Sequence, residues 1–221
     1  MEDFLAKLNV VDGLEARFLT RVDGVEVDTD RLATVARLEP FHKNAVEEMG
    51  FSWSQCWRAE QVHGAEIAVV DKMVRGEDAE VIEGVDGLIT GDAGVLLGIY
   101  VADCGAIYLA DQVTGAVGLL HSGKKGTELG ILPKALNLMK ADFGTKAEDV
   151  LVVLAPCIRP PAYEVDFASE IQKQALAAGV RKENFTDCGI CTSENLERYY
   201  SYRTEKGATG RMLALLGRKG V

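Results

Sequence analysis

Apolar residues cluster most densely between residues 85 and 126, in short runs: VDGLIT, LLGIYVADC, AIYLAD and AVGLLHSGKKG. Runs of this length and composition predict buried strands. Two of them close on residues able to do chemistry, Asp103 with Cys104 and then His121. The QVTG stretch at 112–115 predicts a hairpin turn that lays residues 106–111 antiparallel to 116–121. A thiol and an imidazole at the ends of neighbouring strands would then converge on one point.

The rest of the chain alternates strand and helix patterns. Residues 15–21 predict a first strand, with a turn at Asp23-Gly24. Thr29 or Asp30 is a helix cap, and the helix is expected to run to about Leu38. Pro40 should interrupt it, with a second helix reaching Met49 and stopping at Gly50. Residues 53–59 and 66–71 predict strands, and 72–84 a charged surface loop. A helix is expected over 127–143, starting near Pro133, with Leu129, Leu132, Leu136 and Met139 on its apolar face. Residues 149–155 predict a buried strand, 156–161 a stiff loop, and 166–178 a helix stopped by Gly179. Beyond it, 185–188 read as a strand, Ser193 as a cap for a helix to Arg198, and 199–203 and 211–216 as two final strands, the last of which fits a helix as well as a strand. Without repeat or linker, residues 1–221 read as a single domain of mixed strands and helices.

Composition narrows the partners. At 48% hydrophobic and 26% charged residues, the chain supports a packed core. Its net charge of −10 argues against a nucleic-acid backbone or an anionic membrane surface as partner. The opening MEDFLAKLNVVDG has neither the basic nor the apolar region of an export signal, and no apolar run is long enough to span a bilayer. With an odd count of five cysteines, these features lead us to expect free thiols in the cytoplasm.

Of three histidines, His63 in QVHG and His121 in HSG lie beside glycines at strand ends, while His42 sits within a helical stretch. His63 alone reads as a solvated loop side chain. Taken with Cys104 and His121, it completes a three-donor set with one position open, the pattern of a catalytic zinc site. Cys104 and His121 also fit a nucleophile–base pair, and a buried cysteine is often just a small hydrophobe. A kink at Asp103-Cys104-Gly105 would bring Asp103 into the same pocket. Cys188-x-x-Cys191 lacks a second half and reads as two free thiols. The loop 122–126 offers backbone amides at Gly123 and Gly126 and the cations Lys124 and Lys125, which suit phosphate; the plain alternative is a solvated turn.

At these residues the sequence resembles the laccase-domain proteins, once described as multicopper polyphenol oxidases and now understood as zinc-dependent purine nucleoside phosphorylases, some of them called peptidoglycan editing factors. The matching pieces are QVHG at 61–64, DG at 86–87, ADC at 102–104, LAD at 109–111, HSG at 121–123, PCI at 156–158, YEV at 163–165, SYR at 201–203 and TGR at 209–211. The resemblance implies an α+β fold, an α/β/β/α sandwich with mixed sheets shared with cysteine–histidine deamidase toxins. It implies zinc, rather than copper, on His63, Cys104 and His121. One cysteine and two histidines are too few for a multicopper cluster. It implies purine nucleosides and phosphate as substrates, with adenosine deamination as a further activity. Asp103, Cys104 and His121 are the expected catalytic residues, and Gly123, Lys125 and Gly126 the expected phosphate site. Where the family has His-Ala-Gly-Trp-Arg-Gly, this chain has HSGKKG; lysine keeps the charge but loses the bidentate fork. Other classes weighed are a metal-free Cys-His hydrolase or amidase linked to peptidoglycan editing, a copper polyphenol oxidase, and a non-catalytic homologue.

Overall fold

The structure is a computed structural model that describes residues 4–71 and 81–220. Its strands are β1 (Leu14–Leu19), β2 (Cys56–Ala59), β3 (Ile67–Val69), β4 (Val81–Ile82), β5 (Gly87–Thr90), β6 (Leu96–Val101), β7 (Gly105–Asp111), β8 (Val117–Ser122), β9 (Val150–Leu154), β10 (Phe185–Asp187) and β11 (Met212–Arg218). The helices are α1 (Ala6–Asn9), α2 (Arg31–Glu48), α3 (Lys124–Glu128), α4 (Ile131–Phe143) and α5 (Phe167–Ala177). The strands form two mixed sheets, five strands in the order β1-β11-β6-β2-β4 and six in the order β10-β9-β7-β8-β5-β3.

Why the central runs lack polar alternation is now plain. Leu97, Ile99 and Val101 of β6, Ala106, Tyr108 and Ala110 of β7, and Ala214 and Leu216 of β11 share one core between the sheets. Their strand neighbours point the other way. Ile107 and Leu109 meet Leu132, Leu136 and Ile171 of α4 and α5. Leu96, Tyr100, Leu213 and Leu215 meet Val46 and Met49 at the end of α2. Each sheet is covered on both faces, so both faces of its strands are apolar. The layers are helix, sheet, sheet, helix, as expected. The hairpin also forms in the expected register, with Ala106 opposite His121 and Ala110 opposite Val117. Among the described residues no helix is long and apolar enough to cross a membrane.

Several expectations fail for local reasons. Pro40 does not break α2, which runs through it with Thr34, Leu38, His42 and Val46 buried at four-residue intervals. Proline removes one hydrogen bond, to the carbonyl of Ala36, and both residues face solvent, where water can replace the partner. Asp30 caps this helix by accepting from Leu32 N and Ala33 N. Residues 53–55 form a 3₁₀ turn before β2. The charged loop expected at 72–84 lies outside the described residues except for its end, where Val81–Ile82 adds an edge strand to β2. The helix expected over 127–143 is two, and exposed Leu129 lies between them. Pro133 is tolerated in the first turn of α4, where its missing N–H has no partner to lose. Ser193 lies inside a 3₁₀ turn of Thr192–Glu194 rather than capping a helix, and residues 199–203 form no strand.

Candidate metal centre and its cavity

The chain crosses between the sheets at residues 102–104, leaving β6 in one and entering β7 in the other. Asp103 makes that crossing at φ +85°, a left-handed conformation that costs a non-glycine residue free energy. Cys104 follows at the mouth of β7, next to β8 and His121. Gly123 closes in from the other strand: a Cβ there would lie 2.6 Å from Cys104 Sγ. Gly126 packs below, where a Cβ would lie 3.2 Å from the Gly64 carbonyl.

His63 comes from the loop between β2 and β3, also at positive φ, +59°. One carboxylate holds both histidines. Asp86, fully buried before β5, accepts from His63 N at 2.9 Å and Gly64 N at 2.6 Å. His121 Nδ1 donates to Asp86 Oδ1 at 2.8 Å. The His121 backbone N also donates to the Asp86 carbonyl, at 2.7 Å. The two imidazoles meet edge to face with centroids 4.9 Å apart. Fixing His121 Nδ1 leaves its Nε2 for a ligand, the carboxylate–histidine arrangement that orients metal-binding imidazoles. Asp86 escaped the sequence reading as a functional residue; its only signal was an Asp-Gly pair just ahead of an apolar strand.

The electrostatics follow from these contacts. Burial pushes the Cys104 thiol up, but hydrogen bonds and charge from His121 and His63 outweigh it and lower its pKa to about 6. Burial pushes His121 down, yet Asp86 and Cys104 raise its pKa to about 9. Burial also opposes ionisation of Asp86, which the His121 contact and the Gly64 and His63 amides overcome, leaving its pKa lowered. The metal-free cluster is therefore a thiolate and an imidazolium braced by a carboxylate, and a metal ion that binds there must displace the proton on His121 Nε2.

Among the described residues, His63, Cys104 and His121 form the one group of His, Cys, Asp or Glu side chains whose donor atoms all lie within 4.8 Å of one another. That spacing lets them converge on one metal ion with small side-chain movements. Two nitrogens and a thiolate suit zinc or copper. The donors face a cavity of about 720 Å³, in the size range of small-molecule sites.

Asp103, Gly123 and Lys125 also line this cavity, but Gly126 does not. Lys125 is exposed at its rim. Thr192 Oγ1 donates to Asp103 Oδ1 at 2.7 Å and Arg203 N to its Oδ2 at 2.7 Å. Asp103 braces the loop carrying Tyr202 and Arg203. The wall residues missed from the sequence are Arg31, Tyr163, Phe167 and Tyr202 with Arg203 and Arg211. Their signals were the YEV, SYR and TGR motifs, which carry Tyr163, Tyr202, Arg203 and Arg211. His42 stays apart, on the buried face of α2 with Nδ1 3.4 Å from the Tyr100 hydroxyl. All five cysteines are free, including Cys188 and Cys191.

Residues 24–176 and 165–219 match the family described as multi-copper polyphenol oxidoreductase laccase. A protein of Geobacillus stearothermophilus named purine nucleoside phosphorylase YlmD is 33% identical over 230 residues, covering 89% of this chain and 82% of its own. A Staphylococcus epidermidis protein named purine nucleoside phosphorylase is 32% identical, covering 72% of this chain and 71% of its own. The crystal structure of the Geobacillus protein YlmD superposes with a TM-score of 0.83 at 29% identity, over 95% of this chain and 93% of that one. The Bacillus licheniformis protein YfiH shares the fold, at a TM-score of 0.84 and 22% identity over 95% of this chain and 94% of its own.

Proposed function

The chain belongs to the multi-copper polyphenol oxidoreductase laccase family, and on that footing we propose that it is a zinc-dependent purine nucleoside phosphorylase. The observation that carries the reading is the convergence of His63, Cys104 and His121 on a cavity that also holds aromatic and cationic side chains. The names of the relatives supply the reaction class. His63, Cys104 and His121 would hold the ion, with Asp86 fixing the His121 ring. A zinc ion bound there supplies a Lewis acid that polarises a lone-pair atom of the substrate. Zinc is favoured over copper because the donors leave one side open to a substrate cavity and, among the described residues, no methionine lines it.

Phosphorolysis forms a bond from a phosphate oxygen to the anomeric carbon as the carbon–nitrogen bond to the purine breaks. The base leaves with the bonding electrons and takes up a proton, and the sugar becomes ribose 1-phosphate. Tyr163, Phe167 and Tyr202 give the purine apolar and stacking surface. Lys125, beside Gly123 on the rim, draws phosphate inward by charge. Asp103 keeps the Tyr202–Arg203 loop in place through its bond from Arg203 N. Five free thiols fit a reducing cytoplasm.

The lowered pKa of Cys104 favours one rival, a metal-free thiol hydrolase. Incubating the metal-loaded protein with inosine, with and without phosphate, separates the readings. Free base together with ribose 1-phosphate, formed only when phosphate is present, supports phosphorolysis. Base release independent of phosphate, or no base release at all, refutes it. Turnover that survives chelation and leaves an adduct on Cys104 transfers the site to the hydrolase class.

A further inference from the structure

The cavity's cations are not equivalent. Arg203 pairs with Glu164 at 2.8 Å and lies over the Tyr163 ring, and the Glu164 carboxylate also feels Lys124. Glu164 thus offsets one of those two positive charges. Arg31 at the start of α2 donates through both terminal nitrogens to the Glu60 carbonyl, at 3.1 Å each. Arg211 donates through Nη1 to the carbonyls of Thr209 and Gly210, at 3.1 and 2.8 Å. Neither guanidinium takes part in an ion pair among the described residues. Burial, and then the charge of Arg31, hold Arg211 below its ordinary pKa, so the two feel each other; Tyr202, over whose ring Arg211 lies, and then Cys104 and Asp103 act in the opposite direction. Cys104 belongs to the metal-binding set, and Asp103 is already bonded to Thr192 and Arg203.

Two guanidiniums held by carbonyls in the lining of one cavity leave N–H groups and positive charge to an incoming anion. Carbonyls aim the forks without cancelling them. Guanidinium presents the planar, bidentate donor set that phosphate fits, which an exposed lysine at the rim lacks. We infer that Arg31 and Arg211 form the phosphate-binding site of this cavity, and that Lys125 only assists capture. The inference rests on the phosphorolysis reading and says where in that site phosphate sits.

The test uses zinc-loaded full-length protein and inorganic phosphate as probe, followed by titration calorimetry and by phosphate and inosine kinetics. For Arg31→Gln and Arg211→Gln the apparent Kd and KM for phosphate should each rise about tenfold or more, with KM for inosine within about twofold. Lys125→Ala should raise them less than either. Arg211 also ties two backbone carbonyls, so Arg211→Lys serves if Arg211→Gln does not fold; it keeps the charge, loses the fork, and should still weaken phosphate. Unchanged phosphate constants in Arg31→Gln and in the folded Arg211 variant, with a phosphate-dependent parent, overturn the inference and leave phosphorolysis standing. A parent that neither binds phosphate nor depends on it removes both.

Discussion

Two histidine–cysteine regions lie in this molecule, and Tyr100 borders both. On the buried side of α2, His42 faces the Tyr100 hydroxyl, and Cys56 belongs to the same core. Burial, then the Arg58 charge, lower the His42 pKa to about 4, and burial raises the Cys56 pKa to about 12. Both are neutral at physiological pH. At the cavity the same two residue types are displaced oppositely, Cys104 to about 6 and His121 to about 9. Burial opposes charge in both places. What differs is Asp86, which grips His121 and the His63 loop, and a second imidazole facing the thiol. Residue type does not make a site here; the partner atoms do.

The comparison breaks most visibly at the ligands. His121→Ala should lower phosphorolysis by more than about a thousandfold, since removing a donor costs much of the metal-binding free energy. His42→Phe, the matching change on the buried side of α2, should leave turnover within about twofold; a loss as deep as that of His121→Ala would show that the core histidine belongs to the site. Next comes Asp86→Asn, which keeps the shape but removes the charge from the His121 contact. Metal affinity should fall about 10–100-fold, read by competition with a chelator. Unchanged affinity would mean that Asp86 serves folding alone.

A pH experiment sharpens the contrast between the thiols. In metal-free protein, Cys104 gains its thiolate as pH rises through about 6, so its alkylation rate should climb there and fall away below. Cys56, near 12, should stay unmodified in the folded protein across neutral pH. A Cys104 profile centred above 8 would contradict the lowered pKa. The smallest expected effect is Cys56→Ala, which should cost about 1–2 kcal/mol in chemical denaturation and leave the bound metal unchanged.

Much of this was legible in the chain. The runs of β6 to β9 are apolar because they are covered on two faces, and turn chemistry at 112–115 sets the register that brings Cys104 beside His121. The resemblance, read through scattered motifs, named the three donors. Asp86 was not visible, because one carboxylate serves two loops remote in sequence and no periodicity marks it. Nor was the role of Asp103: the pattern placed it beside Cys104, but its oxygens are engaged by residues about ninety and a hundred positions away. Pro40 misled because propensity cannot see that the freed carbonyl faces water. Leu129 misled because its helical spacing runs across a turn between two helices.

The central claim is that His63, Cys104 and His121 together hold one metal ion, and native mass spectrometry of the folded protein tests it most directly. The parent, supplied with zinc and then desalted, should carry one zinc per chain, and His63→Ala, treated alike and equally folded, should carry markedly less. A parent that retains no metal, or a His63→Ala protein that retains as much as the parent, would contradict the account.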